Sequence, residues 1–185
     1  MKGNGAMRKV ILWDMLTLDS RFEGPDQDIS WFLFDEELER YILDTQQSAD
    51  TLLFGRVTYE GMASYWPTAE GVIADFMNAV PKVVFSRTLE SADWNNSRLV
   101  KENVAEEVRR LKEQPGGDIF VFGSADFAAT LLEEGLVDEL RIGFNPVVLG
   151  SGTPFFKESP HRQQMQLLEV KPLKSGVVIL HYQTA

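Results

Sequence analysis

Apolar positions follow two alternating rhythms along the chain. Short, nearly unbroken runs occur at Val10–Trp13 (VILW, continuing toward Leu18), Thr51–Phe54 (TLLF), Lys82–Ser86 (KVVFS) and Asp118–Phe122 (DIFVF). Runs of this length, bounded by glycine, proline or polar residues, predict strands buried on both faces. Between them the spacing becomes helical. Asp35–Ser48 places Leu38, Tyr41, Ile42 and Thr45 on one stripe, Arg56–Ser64 makes a short helix, and Gly71–Val80 makes another, closed by Pro81. Asn103, with Glu106 three residues on, predicts a capped helix that carries Val104, Val108 and Leu111 on one face. A further helix follows Gly123–Ser124 and ends at Gly135.

Arg98–Lys101 reads as a minor strand, and Asp138–Leu149 as two apolar stretches broken at Asn145–Pro146. The tail loses the helical rhythm. Gln166–Pro172 and Gly176–Gln183 alternate as an antiparallel hairpin turned at Lys174–Gly176. Strands with helical crossovers, followed by strands alone, predict an α/β fold. Its sheet is mixed and mostly parallel, flanked by helices, with an antiparallel C-terminal hairpin. No repeat or linker divides it, so a single domain is expected over residues 7–185, with residues 1–6 a leader or expression remnant.

Composition narrows the function classes. Twenty-eight acidic against 18 basic residues give a net charge of −10, and no Lys/Arg-rich run exists, which argues against a nucleic-acid partner. Zero cysteines exclude disulfides, thiolate metal sites and cysteine nucleophiles, and the two histidines, His161 and His181, cannot build a histidine-rich metal site, so no metal is expected. His161 lies in a polar segment and is expected at the surface; His181 alternates with apolar residues and is expected to be structural. No run approaches the ~20 apolar residues of a membrane helix and no signal peptide is visible, so a cytoplasmic location is expected.

Three predicted strands end in the same way. Phe54–Gly55–Arg56 and Phe122–Gly123–Ser124 are each strand, small residue, helix, and Phe85–Ser86–Arg87 ends a strand with a hydroxyl and a cation. In a parallel sheet such ends share one edge, where ligands of open α/β folds bind. Helix starts offer free N–H groups and partial positive charge, two of them suit the two phosphates of a dinucleotide, and Arg56 or Arg87 suits an additional phosphate. Standard motifs are missing: there is no phosphate loop ending in Gly-Lys-Ser/Thr and no G-x-S-x-G elbow, and in Gly150-Ser151-Gly152-Thr153-Pro154-Phe155 the proline and the lack of a third glycine argue against a dinucleotide turn.

At these motifs the sequence resembles the dihydrofolate reductases and, more closely, the reductase domain of bacterial bifunctional riboflavin-biosynthesis deaminase–reductases with its stand-alone relatives. Leu52–Met62 (LLFGRVTYEGM) and Lys82–Glu90 (KVVFSRTLE) are similar to the cofactor-binding segments, while Asp118–Leu140, Pro146–Phe156 and the opening Leu16–Phe22 resemble the riboflavin-pathway group. The resemblance implies a dihydrofolate reductase-like fold, NADPH as cofactor and a homodimer. It places Gly55, Arg56 and Thr58 at the first phosphate turn, Ser86 and Arg87 at the adenosine ribose and its 2′-phosphate, and Gly123 and Ser124 at the second phosphate turn. The chain departs from the family pattern in three places. Ser124 replaces the second of two glycines, and its Cβ is expected to limit close backbone approach; Ser20 follows Asp19 where the family has glycine; and Phe122 stands where the riboflavin reductases carry an acid.

Two carboxylates are candidates on the catalytic side. Glu37 aligns with the pterin-contacting acid of the dihydrofolate reductases, although a charged helix start accounts for it equally. Asp19 lies where the sister group lines its substrate side, although a turn-forming aspartate accounts for it too. Trp13, Trp31 and Trp66 are candidates to stack on a flat ring or to fill a core. The expectation is an NADPH-dependent reductase of a pterin-like or aminopyrimidine-like heterocycle. The alternatives are a dihydrofolate reductase proper, or a nucleotide-binding protein of this fold without efficient turnover.

Overall fold

A computed structural model describes residues 7–185; the leader assigned to residues 1–6 lies outside the described residues. The strand-forming runs become β1 (Val10–Thr17), β3 (Ala49–Gly55), β4 (Lys82–Phe85), β5 (Ser97–Val100), β6 (Asp118–Val121) and β7 (Glu139–Asn145), with β9 (Met165–Pro172) and β10 (Val178–Thr184) at the C-terminus. They form one eight-stranded sheet in the order β5-β4-β3-β6-β1-β7-β10-β9. All pairs from β5 to β7 are parallel, and β10 is antiparallel to both β7 and β9.

The central strands are continuously apolar because both faces of the sheet are covered. One face packs Leu12, Leu16, Leu53, Val121 and Ile142 against α4 (Val104–Glu113) and α5 (Ala125–Glu133). The other packs Ile11, Leu52, Phe54 and Phe120 against α1 (Glu36–Gln46), α2 (Arg56–Tyr65) and α3 (Val72–Ala79). β9 has no outer neighbour among the described strands, which matches its exposed, mixed composition.

Local sequence explains most boundaries. Asp35 caps α1 by accepting the Leu38 N–H at 2.8 Å. α5 ends at Gly135, whose φ of +63° favours glycine, with the Leu136 N–H bonded back to the Leu131 carbonyl. The capping pair expected at Asn103 does not form. Asn103 precedes α4 in a left-handed conformation (φ 56°), and its side chain makes no capping bond. Gly150–Phe155 starts no helix; it carries the short strand β8 (Thr153–Pro154), which pairs with β2 (Arg21–Glu23). That two-stranded ribbon anchors an irregular arm, residues 18–35, which runs from the end of β1 to the start of α1.

Candidate active site

The parallel register brings the three predicted strand ends together. β3 ends at Gly55 beside Phe85 of β4, and Leu53 pairs with Val121 just before Phe122–Gly123–Ser124. Along this edge runs an open cleft of about 710 Å³, whose walls include Gly55, Arg56, Ser86, Arg87 and Ser124. The helix starts facing it have no capping side chain: Gly55 has none, and Ser124 makes no cap bond. Their first N–H groups are therefore free to meet an anion. Arg56 pairs with Glu60 at 2.8 Å, whereas Arg87 has no ion pair among the described residues. The Ser86 hydroxyl accepts the Leu89 N–H at 3.0 Å and tightens the turn after β4.

The other two predicted cofactor residues, Thr58 and Gly123, lie at the inner end of this edge. Gly123 has φ +44°, and a Cβ built there would sit 2.6 Å from Thr58 Oγ1 and 2.7 Å from Phe22 Cζ. Only glycine fits. Ser124 has φ −75°, ordinary for any residue. The crowding expected from its side chain is resolved by Gly55, where an added Cβ would lie 2.7 Å from Ser124 Oγ. The serine occupies the space that the missing side chain of Gly55 leaves.

Beyond Gly123 the edge opens into a second space, a cavity of about 260 Å³ beneath the arm. Trp13, Phe22, Trp31, Phe32, Phe34, Trp66 and Phe122 supply aromatic walls, and Met15, Met62 and Met77 fill between them. All three tryptophans proposed for ring stacking are thus in one wall. The arm is tied down by the fully buried Asn145, which accepts the Leu33 N–H at 3.0 Å and donates to the Leu16 carbonyl at 3.3 Å.

Among the described residues three polar ones line the cavity: Asp14, Gln46 and Thr58. Asp14, in the middle of β1, is 7% exposed, and its Oδ2 accepts the Gly123 N–H at 3.0 Å. Burial pushes its carboxyl well above the ordinary carboxylate range, and the Gly123 N–H opposes this only in part. Thr58 Oγ1 is buried without a partner. Asp14, Thr58 and Phe22 all meet at Gly123. Asp14 escaped sequence reasoning because it lies inside an apolar run. Its signal was that same position: a carboxylate in a strand buried on both faces, with no basic residue beside it.

Neither sequence-predicted carboxylate reaches the cavity. Glu37 lies on the opposite side of α1 and accepts the Lys174 N–H at 2.8 Å, joining the helix to the β9–β10 turn. Asp19 accepts from the Thr17 hydroxyl (2.7 Å) and from the N–H groups of Gly150 (2.9 Å) and Leu149 (3.2 Å). These bonds hold it below the usual carboxylate range and commit it to fastening the arm to the 146–152 loop. His161 is exposed, and His181 bonds Glu139 at 2.7 Å on β10. Among the described residues no cluster of acids and histidines is placed to hold a metal ion.

Comparison with known proteins identifies the family and the fold. Residues 8–179 match the model of the RibD C-terminal domain. The chain belongs to the RibD C-terminal domain family. This RibD-type chain is 33% identical to the uncharacterized protein YyaP of Bacillus subtilis (strain 168), over 98% of each. Among solved structures it is similar to a putative riboflavin biosynthesis protein from Shewanella sp. PV-4 (TM-score 0.81, 18% identity, 96% of this chain and 99% of that one). It also resembles the deaminase/5-amino-6-(5-phosphoribosylamino)uracil reductase of Thermotoga maritima (TM-score 0.70, 14% identity), covering 97% of this chain and 57% of that one. A dihydrofolate reductase from Enterococcus faecalis complexed with NADP(H) superposes with a TM-score of 0.65 at 13% identity, over 96% of each chain. The RibD-type domain therefore has the dihydrofolate reductase-like fold. No helix among its described residues is long and apolar enough to cross a membrane.

Proposed function

We propose that the protein is an NADPH-dependent reductase of a flat heterocycle. One observation carries the proposal: two uncapped helix starts and an unpaired arginine line a cleft, and Gly123 stands between Ser124 of that cleft and Phe122 of the aromatic cavity. The cleft fits the cofactor. Gly55 and Gly123 leave backbone where side chains would stand, the first N–H groups of α2 and α5 suit a pyrophosphate, and Arg87 suits a 2′-phosphate by bidentate contact. The buried, unpartnered Thr58 hydroxyl offers a polar contact at the inner end. NADPH, when bound, supplies the hydride.

The remaining work falls to this chain. Gly123 fixes the distance between the two compartments, the arm and its aromatic residues exclude water, and the walls of Trp13, Trp31 and Trp66 align a planar ring. Membership of the RibD C-terminal domain family supports an oxidoreductase. The failure of Glu37 and Asp19 to reach the cavity favours the second reading, a nucleotide-binding protein with little turnover, unless Asp14 takes their part.

The test is a titration of NADPH and NADH followed by quenching of tryptophan fluorescence. Micromolar NADPH binding is expected, weaker for NADH, with the preference lost in Arg87→Ala. Absence of binding by either nucleotide refutes the reading.

A further inference from the structure

The cavity and the cleft differ in the cations they offer. Arg56, Arg87, Lys101 and Arg109 border the cleft together with Glu102, Glu106, Asp126 and Glu134, and Arg87, without an ion pair among the described residues, leaves a cation there for a phosphate. Among the described residues the cavity wall contains no lysine, arginine or histidine. Its cover is acidic: residues 18–46, the arm and α1, contain nine Asp or Glu and only two arginines, and one of these, Arg21, is engaged by Asp19. An anion entering here would lose its hydration without gaining a cation and would cross a repulsive mouth. The space, about 260 Å³, also falls below the roughly 300–1,000 Å³ of sites for drug-sized ligands. It suits one small ring system and no tail.

At its polar end the cavity is incomplete. Asp14 Oδ2 is used by the Gly123 N–H, but Oδ1 has no hydrogen-bond partner among the described residues. The hydroxyl of Thr58, also unpartnered, lies at the same corner. An unpaired carboxyl oxygen in a chamber whose other polar lining among the described residues is Thr58 and Gln46 calls for a ligand that pairs with it.

We propose that the cavity selects a planar heterocycle without phosphate or carboxylate, and that Asp14, the one ionisable side chain among the described residues of its wall, holds an acceptor atom of that ring. The proposal rests on the reductase reading of the same site and narrows its substrate class. It separates this protein from an enzyme acting on a phosphoribosylated pyrimidine.

The protonation of Asp14 fits this role, because a neutral carboxyl donates from Oδ1 while Oδ2 still accepts from Gly123. Charged groups on the elements packed around it are engaged elsewhere. Lys9 pairs with Glu139, Arg141 lies over the Phe120 ring, Asp126 pairs with Lys157, Arg56 pairs with Glu60, and Arg21 lies beside Asp19. Asp118 stands at the far end of β6.

The experiment measures affinities of pterin against pterin-6-carboxylate, and of uracil against uracil-6-carboxylate, on protein saturated with NADP⁺. NADPH affinity is measured separately. At least one uncharged ring is expected to bind, with its anionic counterpart about tenfold weaker or more. Asp14→Ala should weaken the ring about tenfold. Asp14→Asn should keep the affinity but remove the decline that the wild type shows as rising pH takes the proton from the carboxyl, a decline displaced above the ordinary carboxylate range. NADPH affinity should change less than ring affinity in both variants, and urea midpoints confirm that they fold.

Equal or tighter binding of the anionic partners overturns the proposal, and so does failure of both uncharged rings to bind. An Asp14 effect confined to NADPH would overturn the assignment of that residue to the ring. Ring binding without any NADPH binding would instead overturn the reductase reading and leave the cavity assignment standing.

Discussion

Gly123→Ala isolates the requirement at the corner where cleft and cavity meet. The new Cβ faces two separate penalties. An alanine at φ +44° costs about 1–2 kcal/mol, because its Cβ approaches the neighbouring carbonyl in the left-handed region. The same atom must displace Thr58 Oγ1 from 2.6 Å and the Phe22 ring from 2.7 Å, and overpacking of this kind costs about 1–3 kcal/mol. Phe22 cannot swing freely, since its ring packs 6.0 Å from that of Phe155, which is 1% exposed. A lower conformational entropy of the unfolded chain returns about 0.4–1 kcal/mol. The net expectation is a loss of about 1–4.5 kcal/mol. In a chain of this size that lowers the melting temperature by roughly 2–18 °C.

Ser124→Ala is the matched control. Replacing an N-cap serine ordinarily costs about 1 kcal/mol through its lost cap bond, but Ser124 makes no such bond, so a cost below about 0.5 kcal/mol is expected. Urea denaturation with m held constant measures both values. A Gly123→Ala cost under about 1 kcal/mol, or a Ser124→Ala cost equal to it, would refute this account of the turn.

Other positions give independent tests. Asn145→Ala removes one buried and one part-buried hydrogen bond, so a loss of about 1–3 kcal/mol is expected by urea denaturation, with faster amide exchange across residues 29–34. Arg141 is buried, and its Nε and Nη1 have no partner, so Arg141→Met should be neutral or stabilising by about 1–2 kcal/mol in thermal unfolding. Lys82 is 1% exposed, donates to the carbonyls of Val80 and Asn95, and is pushed by burial from 10.5 down to about 8. Between those two values the unfolded chain holds the proton that the folded chain has released. Stability should therefore rise with pH from about 8 to 10.5 relative to Lys82→Met; equal slopes for the two proteins would contradict the buried-amine assignment.

What could be read from the sequence was whatever local pattern dictates. The apolar runs at Thr51–Phe54 and Asp118–Phe122 had to be buried strands, and the small residues after them had to sit on one edge once those strands were parallel. Gly55, Arg56, Ser86, Arg87 and Ser124 were accordingly legible as one cleft. The cavity was not, because it depends on the arm. Residues 18–35 carry no periodic signal, and their course is set by distant partners, the buried Asn145 and the ribbon partner Thr153. Glu37 and Asp19 were candidates by position along the chain, but the direction of a helix face and the bonding appetite of a loop decided where they went. Asp14 was hidden for the opposite reason: the strand pattern around it was so clear that one charge within it passed as noise.

Gly123 belongs to both compartments at once, and this has a thermodynamic consequence. Its N–H bonds Asp14 on the cavity side, while its chain neighbour Ser124 opens α5 toward the cleft. An occupant that shifts or stiffens this residue on one side changes what the other side must do to bind. The two occupancies then share a coupling free energy, and each must alter the other's affinity by the same factor. A small ring and a large dinucleotide would thus report on one another through a single glycine, and measuring either affinity with and without the other bound gives the size of that coupling from both directions.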